Sequence, residues 1–164
     1  MALTDYFTRK PVFEIFPLET TDARLAAALH QARFPQPWND GEFHSLLSQD
    51  PVFGFLALKQ GVPGRTAGGF VLARATAGEA EILTISVDQR FGRAGLGWRL
   101  MQAALREARM RGAEDIFLEV DEVNHAARGL YGKLGFIKAG ERKAYYAAAD
   151  GSRSSALVMR RDLR

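Results

Sequence analysis

Cysteine is absent from this chain of 164 residues. Its absence excludes disulfide bonds, thiolate metal sites and any mechanism through an acyl-cysteine intermediate. Long apolar runs are also missing, because no window approaches the roughly 20 apolar residues of a membrane-spanning helix. The first ten residues likewise contain no apolar stretch of signal-peptide length. We therefore expect a cytoplasmic protein that has no contact with a membrane.

The chain has no strong excess of charge of one sign. Its 22 lysines and arginines stand against 19 aspartates and glutamates, a net charge of +3, and the two signs are interspersed along most of the sequence. Such a balance does not by itself argue for nucleic acid, and we do not expect a nucleic acid partner. Its three histidines (His30, His44 and His125) are too scattered to suggest a metal site. With 47% hydrophobic and 25% charged residues, the composition predicts one globular domain over residues 1–164.

The first half of the chain carries the signals of a strand, two helices and a three-stranded meander. A capping box formed by Asn39 and Glu42 marks the start of the second helix. Glycine and proline separate the elements. Their expected ranges are a strand at 12–16, a helix that follows Thr20–Asp22 and turns Leu25, Ala28 and Leu29 to the core, a helix at 40–48, and strands at 52–58, 67–75 and 79–87.

In the second half, strands and helices alternate. Apolar residues repeat at helical spacing from Gly95 to Arg111, and Gly112 stands at a typical C-cap position. A strand at 115–120, a helix at 124–134 capped by Asn124, and strands at 136–143 and 156–160 follow. This order predicts a mixed α/β fold, with a partly parallel sheet and helices on its faces.

Three glycines, Gly92, Gly95 and Gly97, lie between the strand at 79–87 and the long helix. Unpaired amide groups and the positive end of the helix dipole meet at such a turn, and glycine lets an anion approach the backbone closely. The pattern predicts a phosphate or pyrophosphate site. A tight strand-to-helix turn that binds nothing fits the same residues equally well.

Two other phosphate-binding motifs fit this loop less well. A Walker A loop needs Lys followed by Ser or Thr after its last glycine, whereas Trp98 and Arg99 follow Gly97 here. A dinucleotide-binding fingerprint would have Leu100 where a small residue belongs, although Glu119 lies near the position of a ribose-binding acid. That second motif remains an alternative, weakened by the meander that precedes the loop.

The glycine loop resembles that of the GNAT acetyltransferases, which reads Gln/Arg-x-x-Gly-x-Gly/Ala, with Gly92 in the Gln/Arg position here. The resemblance implies a GNAT fold, in which about four helices flank a mixed, mostly antiparallel sheet of six to seven strands. It also implies acetyl-coenzyme A as cosubstrate and no metal. The residues that it assigns to the cofactor are the loop Gly92, Arg93, Ala94, Gly95, Leu96, Gly97 and Trp98, the strand edge Ile85, Ser86 and Val87, and Asn124.

A closer resemblance, over residues 79–159, is to the bacterial ribosomal-protein-alanine N-acetyltransferases, the RimI family. It implies transfer of an acetyl group to the N-terminal α-amine of an acceptor protein or peptide, such as a ribosomal protein, by direct attack in a ternary complex. Compared with that family, the segment Phe34–Trp38 has two extra residues, and Ser154 and Ser155 stand where acidic residues are expected. The shared segments are Leu118–Val120, Asn124–Ala127, Leu130–Tyr131, Leu134–Phe136, Arg142–Tyr146 and Ala156–Met159.

The same resemblance assigns the proton transfers to Glu119 as base and Tyr131 as acid. A free α-amino group has a pKa of roughly 8, so a carboxylate is a sufficient base near neutral pH. From the residues alone, Glu119 is equally a solvated carboxylate at a strand end, and Tyr131 a tyrosine packed on the sheet. Asp121 and Glu122 would add negative charge around Glu119. By analogy, the wall of the acceptor site comprises Trp38, Asp121, Tyr145 and Tyr146.

Two further functions fit the sequence. The first keeps the fold and the cosubstrate but acetylates a small-molecule amine or a lysine side chain. The second is a module that binds an acyl-coenzyme A or a nucleotide without turnover.

Overall fold

The computed structural model describes residues 10–164. Residues 1–9 lie outside the described part, and they include most of the segment for which the sequence predicts no signal peptide. Within residues 10–164, no helix has the length and apolar character needed to span a membrane.

Seven strands and four α-helices form the described part of the chain, and two short 3-10 turns occupy Thr20–Asp22 and Gln89–Phe91. In chain order they are β1 (Phe13–Pro17), α1 (Ala23–Gln31), α2 (Asp40–Leu47), β2 (Val52–Lys59), β3 (Ala67–Thr76), β4 (Glu79–Val87), α3 (Leu96–Met110), β5 (Asp115–Asp121), α4 (His125–Lys133), β6 (Ile137–Ala147) and β7 (Arg153–Asp162). Every helix and strand predicted from the sequence is present, with shifts of a few residues at the ends.

The strands form one sheet in the order β1-β2-β3-β4-β5-β7-β6. Only β4 and β5 are parallel, and the other five neighbouring pairs are antiparallel. Helix α3 makes the crossover that two parallel neighbours require. The expected mixed, mostly antiparallel sheet of the GNAT fold is confirmed.

Each face of the sheet has its own apolar core. On one face, α3 and α4 pack through residues such as Leu100, Met101 and Leu134 against Val71 and Ile116. On the other face, α1 and α2 cover β2 and β3, and their core includes Ala26, Leu29, Phe43, Leu56 and Phe70. The sheet is therefore the middle layer between two pairs of helices.

The buried face of helix α1 differs from the expected one at Ala28. Ala23, Ala26, Leu29 and His30 are buried, whereas Ala28 is exposed and Leu25 is only partly covered. The reason lies in the preceding turn, where the buried Asp22 carboxylate accepts the Glu19 N–H and binds Arg65. Asp22 is thus fixed toward the β2–β3 connection, and this sets the rotation of the helix.

Replacement of two glycines by alanine should change the stability of the protein in opposite directions. A Cβ at Gly54 of β2 would lie 2.3 Å from the Val71 carbonyl oxygen, and backbone has little room to yield. We expect Gly54→Ala to lower the free energy of unfolding by about 1–3 kcal/mol, the usual cost of overpacking. Gly129 of α4 has open space around it, so Gly129→Ala should raise that free energy by about 0.5–1 kcal/mol. Chemical denaturation of both variants checks the prediction, and equal shifts would contradict it.

Candidate functional site

Strands β4 and β5 are paired at one end only. Glu79–Glu81 of β4 lies opposite Asp115–Phe117 of β5, and beyond these residues the two strands have no ladder in common. From Ile82 to Val87, β4 pairs with β3 alone, while the rest of β5 pairs with β7. A wedge therefore opens between the carboxyl ends of the two parallel strands, which is the edge where open α/β sheets bind ligands.

A β-bulge accounts for the divergence of the two strands. Along the β3–β4 ladder, Leu72 pairs with Thr84 and Ala73 with Ile82, so that Leu83 has no partner. An extra residue of this kind bends a strand and increases its twist. Since the unpaired Leu83 lies two residues beyond Glu81, the last residue paired with β5, the bulge turns the end of β4 away from β5.

The start of α3 lies at the end of β4, after the 3-10 turn. Its N-cap is Gly95, with φ of 69°, and the first helical hydrogen bond runs from the Arg99 N–H to the Gly95 carbonyl at 3.1 Å. The amides of Leu96, Gly97 and Trp98 precede that bond and have no earlier helical carbonyl to bind. Three N–H groups and the positive end of the helix dipole thus offer an anion site.

The three loop glycines have different structural roles. Gly95 adopts the left-handed conformation, which a residue with a side chain rarely does, whereas Gly92 has an ordinary φ of −60°. Gly97 lies against α4, since a Cβ there would come within 3.1 Å of a Leu130 methyl group. Only the glycine at 95 is required by the backbone of the turn.

Several of the cofactor residues expected from the sequence have side chains committed elsewhere. Leu96 is buried in the core under α3, so only its backbone faces the turn. Ser86 is buried and donates to the Leu29 carbonyl at 3.0 Å, which leaves its backbone for any ligand in the wedge. Asn124 caps α4 by accepting the Ala127 N–H at 3.2 Å, as predicted. Arg93, Ala94 and Trp98 are exposed at the turn, and Ile85 and Val87 are partly buried.

Glu119 lies near the carboxyl end of β5, and Arg142 reaches it from β6. An Arg142 Nη2 lies 3.0 Å from the Glu119 Oε1, and Glu119 exposes 30% of its side-chain surface. The guanidinium crosses β7 where the neighbouring residue is the small, buried Ala156, which pairs with both Asp121 and Arg142. No group of residues 10–164 donates a hydrogen bond to the second carboxylate oxygen of Glu119, which can therefore accept from another proton donor.

Tyr146 lies close to the same carboxylates. Burial raises the pKa of its phenol, and the negative charges of Glu119 and Asp121 raise it further. Tyr145 is half exposed, packs edge-on against Tyr146 with ring centroids 5.1 Å apart, and lies under the Arg142 guanidinium. The structure therefore brings together Glu119, Asp121, Tyr145 and Tyr146, which the sequence placed in one site.

Each of the three acids in the expected negative mouth has a partner among residues 10–164. Glu122 is hydrogen-bonded rather than free, since its Oε1 accepts the Ser155 N–H at 2.9 Å. Glu119 shares its charge with Arg142, and Asp121 accepts the Val123 N–H. The three adjacent acids thus have three separate partners, which their spacing in the sequence does not reveal.

Tyr131 lies on α4 and is 5% exposed. Burial raises the pKa of its phenol to about 12. The phenol is therefore neutral, and able to donate a hydrogen bond, throughout the physiological pH range.

Glu119 and Tyr131 approach the sheet from opposite faces. Tyr131 packs in the same core as Leu118 and Val120 of β5. Side chains alternate along a strand, so Glu119, between those two, points to the face that carries α1 and α2. The wedge between β4 and β5 is the opening that connects the two faces at this level.

Trp38 belongs to a separate aromatic group under α1 and α2. His30 stacks between the rings of Phe34 and Trp38, at centroid distances of 4.0 and 5.0 Å, and Phe43 packs edge-on against Trp38. The His30 Nδ1 accepts the Trp38 N–H at 3.0 Å, while its Nε2 lies 3.2 Å from the Thr84 Oγ1. Within residues 10–164, no hydrogen bond or aromatic contact joins Trp38 to the group around Glu119.

Sequence reasoning assigned no contacts to three residues: His30 in the aromatic group, and Arg142 and Ser155 near Glu119. A histidine on the apolar face of α1 was an available signal for the first, since burial of a polar ring requires partners, and burial lowers the pKa of His30. Nothing in the sequence pairs Arg142 with Glu119 or Ser155 with Glu122, because those contacts depend on strand register.

The wedge, the bulged strand and the glycine-capped helix define an acyltransferase of the GNAT type. Residues 24–136 match the acetyltransferase (GNAT) family, and the chain belongs to that family. It is an acetyl-coenzyme A-dependent N-acetyltransferase. Within residues 10–164, no group of three or more histidine and acidic side chains is arranged to hold a metal ion.

Two known protein sequences or structures are similar to this chain over nearly its whole length. The ribosomal protein bS18-alanine N-acetyltransferase of Escherichia coli is 35% identical over 145 residues, which cover 88% of this chain and 94% of the relative. The crystal structure of the ribosomal-protein-S18-alanine N-acetyltransferase from Escherichia coli superposes with a TM-score of 0.83 and 32% identity, covering 93% and 94% of the two chains.

A third similarity extends to a plant enzyme. Arabidopsis thaliana NAA60 in complex with acetyl-coenzyme A superposes with a TM-score of 0.80 at 16% identity, covering 92% of this chain and 98% of the other. At that identity, the similarity concerns the fold alone.

Proposed function

We propose that this chain, as one domain, acetylates the N-terminal α-amine of an acceptor protein in the cytoplasm, with a ribosomal protein as the first candidate. One observation carries the proposal: Glu119 and Tyr131 lie on opposite faces of the sheet, on either side of a wedge that begins at a free helix N-terminus. The relative from Escherichia coli, named for the alanine of ribosomal protein bS18, supports the choice of acceptor.

The residues around the wedge fit acetyl-coenzyme A. The amides that open α3 suit a diphosphate, and the backbone edge of β4 at Ile85–Val87 has no strand partner on the β5 side within residues 10–164. An extended amide-containing arm can hydrogen-bond such an edge as an added strand would. Arg93 and Trp98 at the turn, and Asn124 beyond the wedge, would complete the contacts.

Acetyl-coenzyme A supplies an activated acyl carbon and a thiolate leaving group. In our proposal, Glu119 removes the proton from the acceptor ammonium through the oxygen that Arg142 leaves free. The amine nitrogen then bonds to the acyl carbon as the carbon–sulfur bond breaks, in direct attack within a ternary complex. The further proton that the nitrogen loses on becoming an amide balances the one that the departing thiolate takes up. Asp121, Tyr145 and Tyr146 line the acceptor side next to Glu119, and Trp38 lies on the α1–α2 side.

Tyr131 faces the leaving group in this arrangement. A free thiol in water has a pKa of about 8.5, so complete transfer of a proton from a phenol of pKa about 12 is uphill. Tyr131 therefore acts first as a hydrogen-bond donor to the developing thiolate, and delivers a proton only as that charge forms. A neutral phenol held in an apolar wall performs this task better than water, because it needs no reorganisation.

Intact-mass analysis of peptides incubated with the protein and acetyl-coenzyme A tests the function. We expect a gain of one acetyl group on peptides that begin with alanine or serine, and none on the same peptides with a blocked N-terminus. Acetylation of an internal lysine in the blocked peptides, or of a polyamine instead of any peptide, would assign the acceptor to the other classes. Binding of acetyl-coenzyme A without transfer to any amine would leave only a binding module.

The loop glycines predict a contrast in cofactor binding. Alanine at position 95 would have to adopt a left-handed conformation at a cost of about 1–2 kcal/mol. We expect Gly95→Ala to weaken coenzyme A binding by about tenfold or more, since relief of that strain turns the amides away. Gly92→Ala is the matched control, because its φ is ordinary and a Cβ there would make only a van der Waals contact, 3.5 Å from the Gln89 carbonyl oxygen, which should leave the affinity unchanged. Calorimetric titration with coenzyme A measures both, and equal affinities would contradict the assigned anion site.

A further inference from the structure

Strand β6 contains a bulge of three residues beside the Glu119 group. Arg142 pairs with Ala156 and Tyr146 with Ser154, so that residues 143–145 stand opposite the single Ser155. The two residues that flank the bulge, Arg142 and Tyr146, are the ones that lie near Glu119. The shape of the bulge therefore decides whether both side chains reach the same carboxylate.

Ala144, in the middle of the bulge, has a φ of 53°, in the left-handed region. A residue with a Cβ pays about 1–2 kcal/mol there, and it keeps this conformation only where its surroundings hold it. Two side chains of β7 do so. The Ala144 N–H donates to the Ser155 Oγ at 3.3 Å, and its carbonyl accepts from the Arg153 Nη1 at 3.2 Å.

Ser155 is itself fixed to the end of β5. It is buried, its N–H donates to the Glu122 Oε1 at 2.9 Å, and its carbonyl accepts the Glu122 N–H at 2.9 Å. Glu122 directly follows Asp121, the last residue of β5. A continuous set of hydrogen bonds thus runs from β5, through Ser155, to the strained residue of the bulge.

We propose that Ser155 is a positioning residue for the acceptor: its hydroxyl holds the bulge at Ala144 so that Arg142 and Tyr146 both face Glu119. The inference rests on the proposed function, in which the acceptor amine binds between these residues. Ser155 contacts neither the acceptor nor the cosubstrate. Its removal should therefore weaken acceptor binding and leave the affinity for coenzyme A unaffected.

Three variants separate the hydroxyl from the rest of the residue. Ser155→Ala removes the acceptor of the Ala144 N–H and leaves both backbone bonds to Glu122 in place, while Ser155→Thr retains a hydroxyl. Ser154→Ala is the matched control, since its side chain makes no hydrogen bond to residues 10–164. Hydrogen–deuterium exchange measures how well the amides of the bulge are protected. Steady-state kinetics give the acceptor KM, and calorimetry gives the Kd for coenzyme A.

For Ser155→Ala we expect faster amide exchange across residues 143–146 and an acceptor KM raised by about fivefold, the ratio that one neutral hydrogen bond supplies. The coenzyme A Kd should stay within about twofold, Ser155→Thr should restore the KM, and Ser154→Ala should match the unmodified protein. Unchanged exchange in Ser155→Ala overturns the inference, as does an unchanged KM or an equal loss of coenzyme A affinity. Failure of the unmodified protein to acetylate any N-terminal amine is a separate result that overturns the proposed function, and the exchange data still decide whether Ser155 holds the bulge.

Discussion

Replacing Glu119 by glutamine should lower kcat/KM for the acceptor by about 10²–10⁴-fold, the range that a positioned general base contributes. Glutamine keeps the shape of the side chain and an oxygen for Arg142, which lies 3.0 Å from the Glu119 Oε1. It cannot accept the proton of the acceptor ammonium. The amine would then have to lose that proton to water before attack, and the rate of the chemical step should fall while the site keeps its geometry.

Coenzyme A affinity supplies the internal control for this variant. Glu119 points to the α1–α2 face, so Glu119→Gln should bind coenzyme A as the unmodified protein does. Glu81→Gln is the matched surface variant, because Glu81 is an exposed carboxylate at the paired end of β4 and β5. A loss of activity in Glu119→Gln below about fivefold, or a similar loss in Glu81→Gln, would remove Glu119 from the base role, given the size of a base effect.

The second large effect on activity is expected for Tyr131→Phe. We expect kcat to fall by about 10²-fold, the lower end of the range for acid–base groups, because the departing thiolate loses its hydrogen-bond donor. The ring remains to pack in the core with Leu134 and Phe136, so thermal stability and the coenzyme A Kd should change little. Single-turnover kinetics at saturating substrates measure the chemical step directly.

The pH profile offers an independent check on Tyr131. Burial raises the pKa of its phenol to about 12, so the neutral donor form persists from acidic pH to well above pH 10. Tyr131 should therefore impose no alkaline limb on kcat below about pH 10. Tyr145→Phe is the control, since it removes an exposed phenol on the acceptor side and should act mainly on the acceptor KM. Equal kcat values for Tyr131→Phe and the unmodified protein would contradict the donor role.

The elements of this fold were predictable because their signals are local. Asn39 and Glu42 form the predicted capping box, Asn124 caps α4, and Gly112 has the positive φ that ends α3. Each of these features depends on hydrogen bonds within a few residues. Strand periodicity and turn glycines similarly fixed the meander.

Positions set by tertiary packing were not predictable in the same way. The buried face of α1 was wrong at Ala28, because the buried Asp22 and its partner Arg65, from a distant turn, set the rotation of the helix. The hydrogen bond that Glu122 accepts from Ser155, 33 residues later, was likewise not predictable, because it depends on strand register. The resemblance supplied the roles of Glu119 and Tyr131, which remain predictions that the variants above test.

By itself, the sequence determined the order of the elements, the glycine-capped helix at the end of β4, and the residue types available for acyl transfer. Only the tertiary structure decided that Glu119 pairs with Arg142, that Tyr131 lies across the sheet from Glu119, and that the Ser155 hydroxyl accepts the Ala144 N–H. The physical reason is register. Bulges at Leu83 of β4 and at residues 143–145 of β6 change which side chains meet across the strands. The amino-acid sequence alone does not show these shifts in strand register.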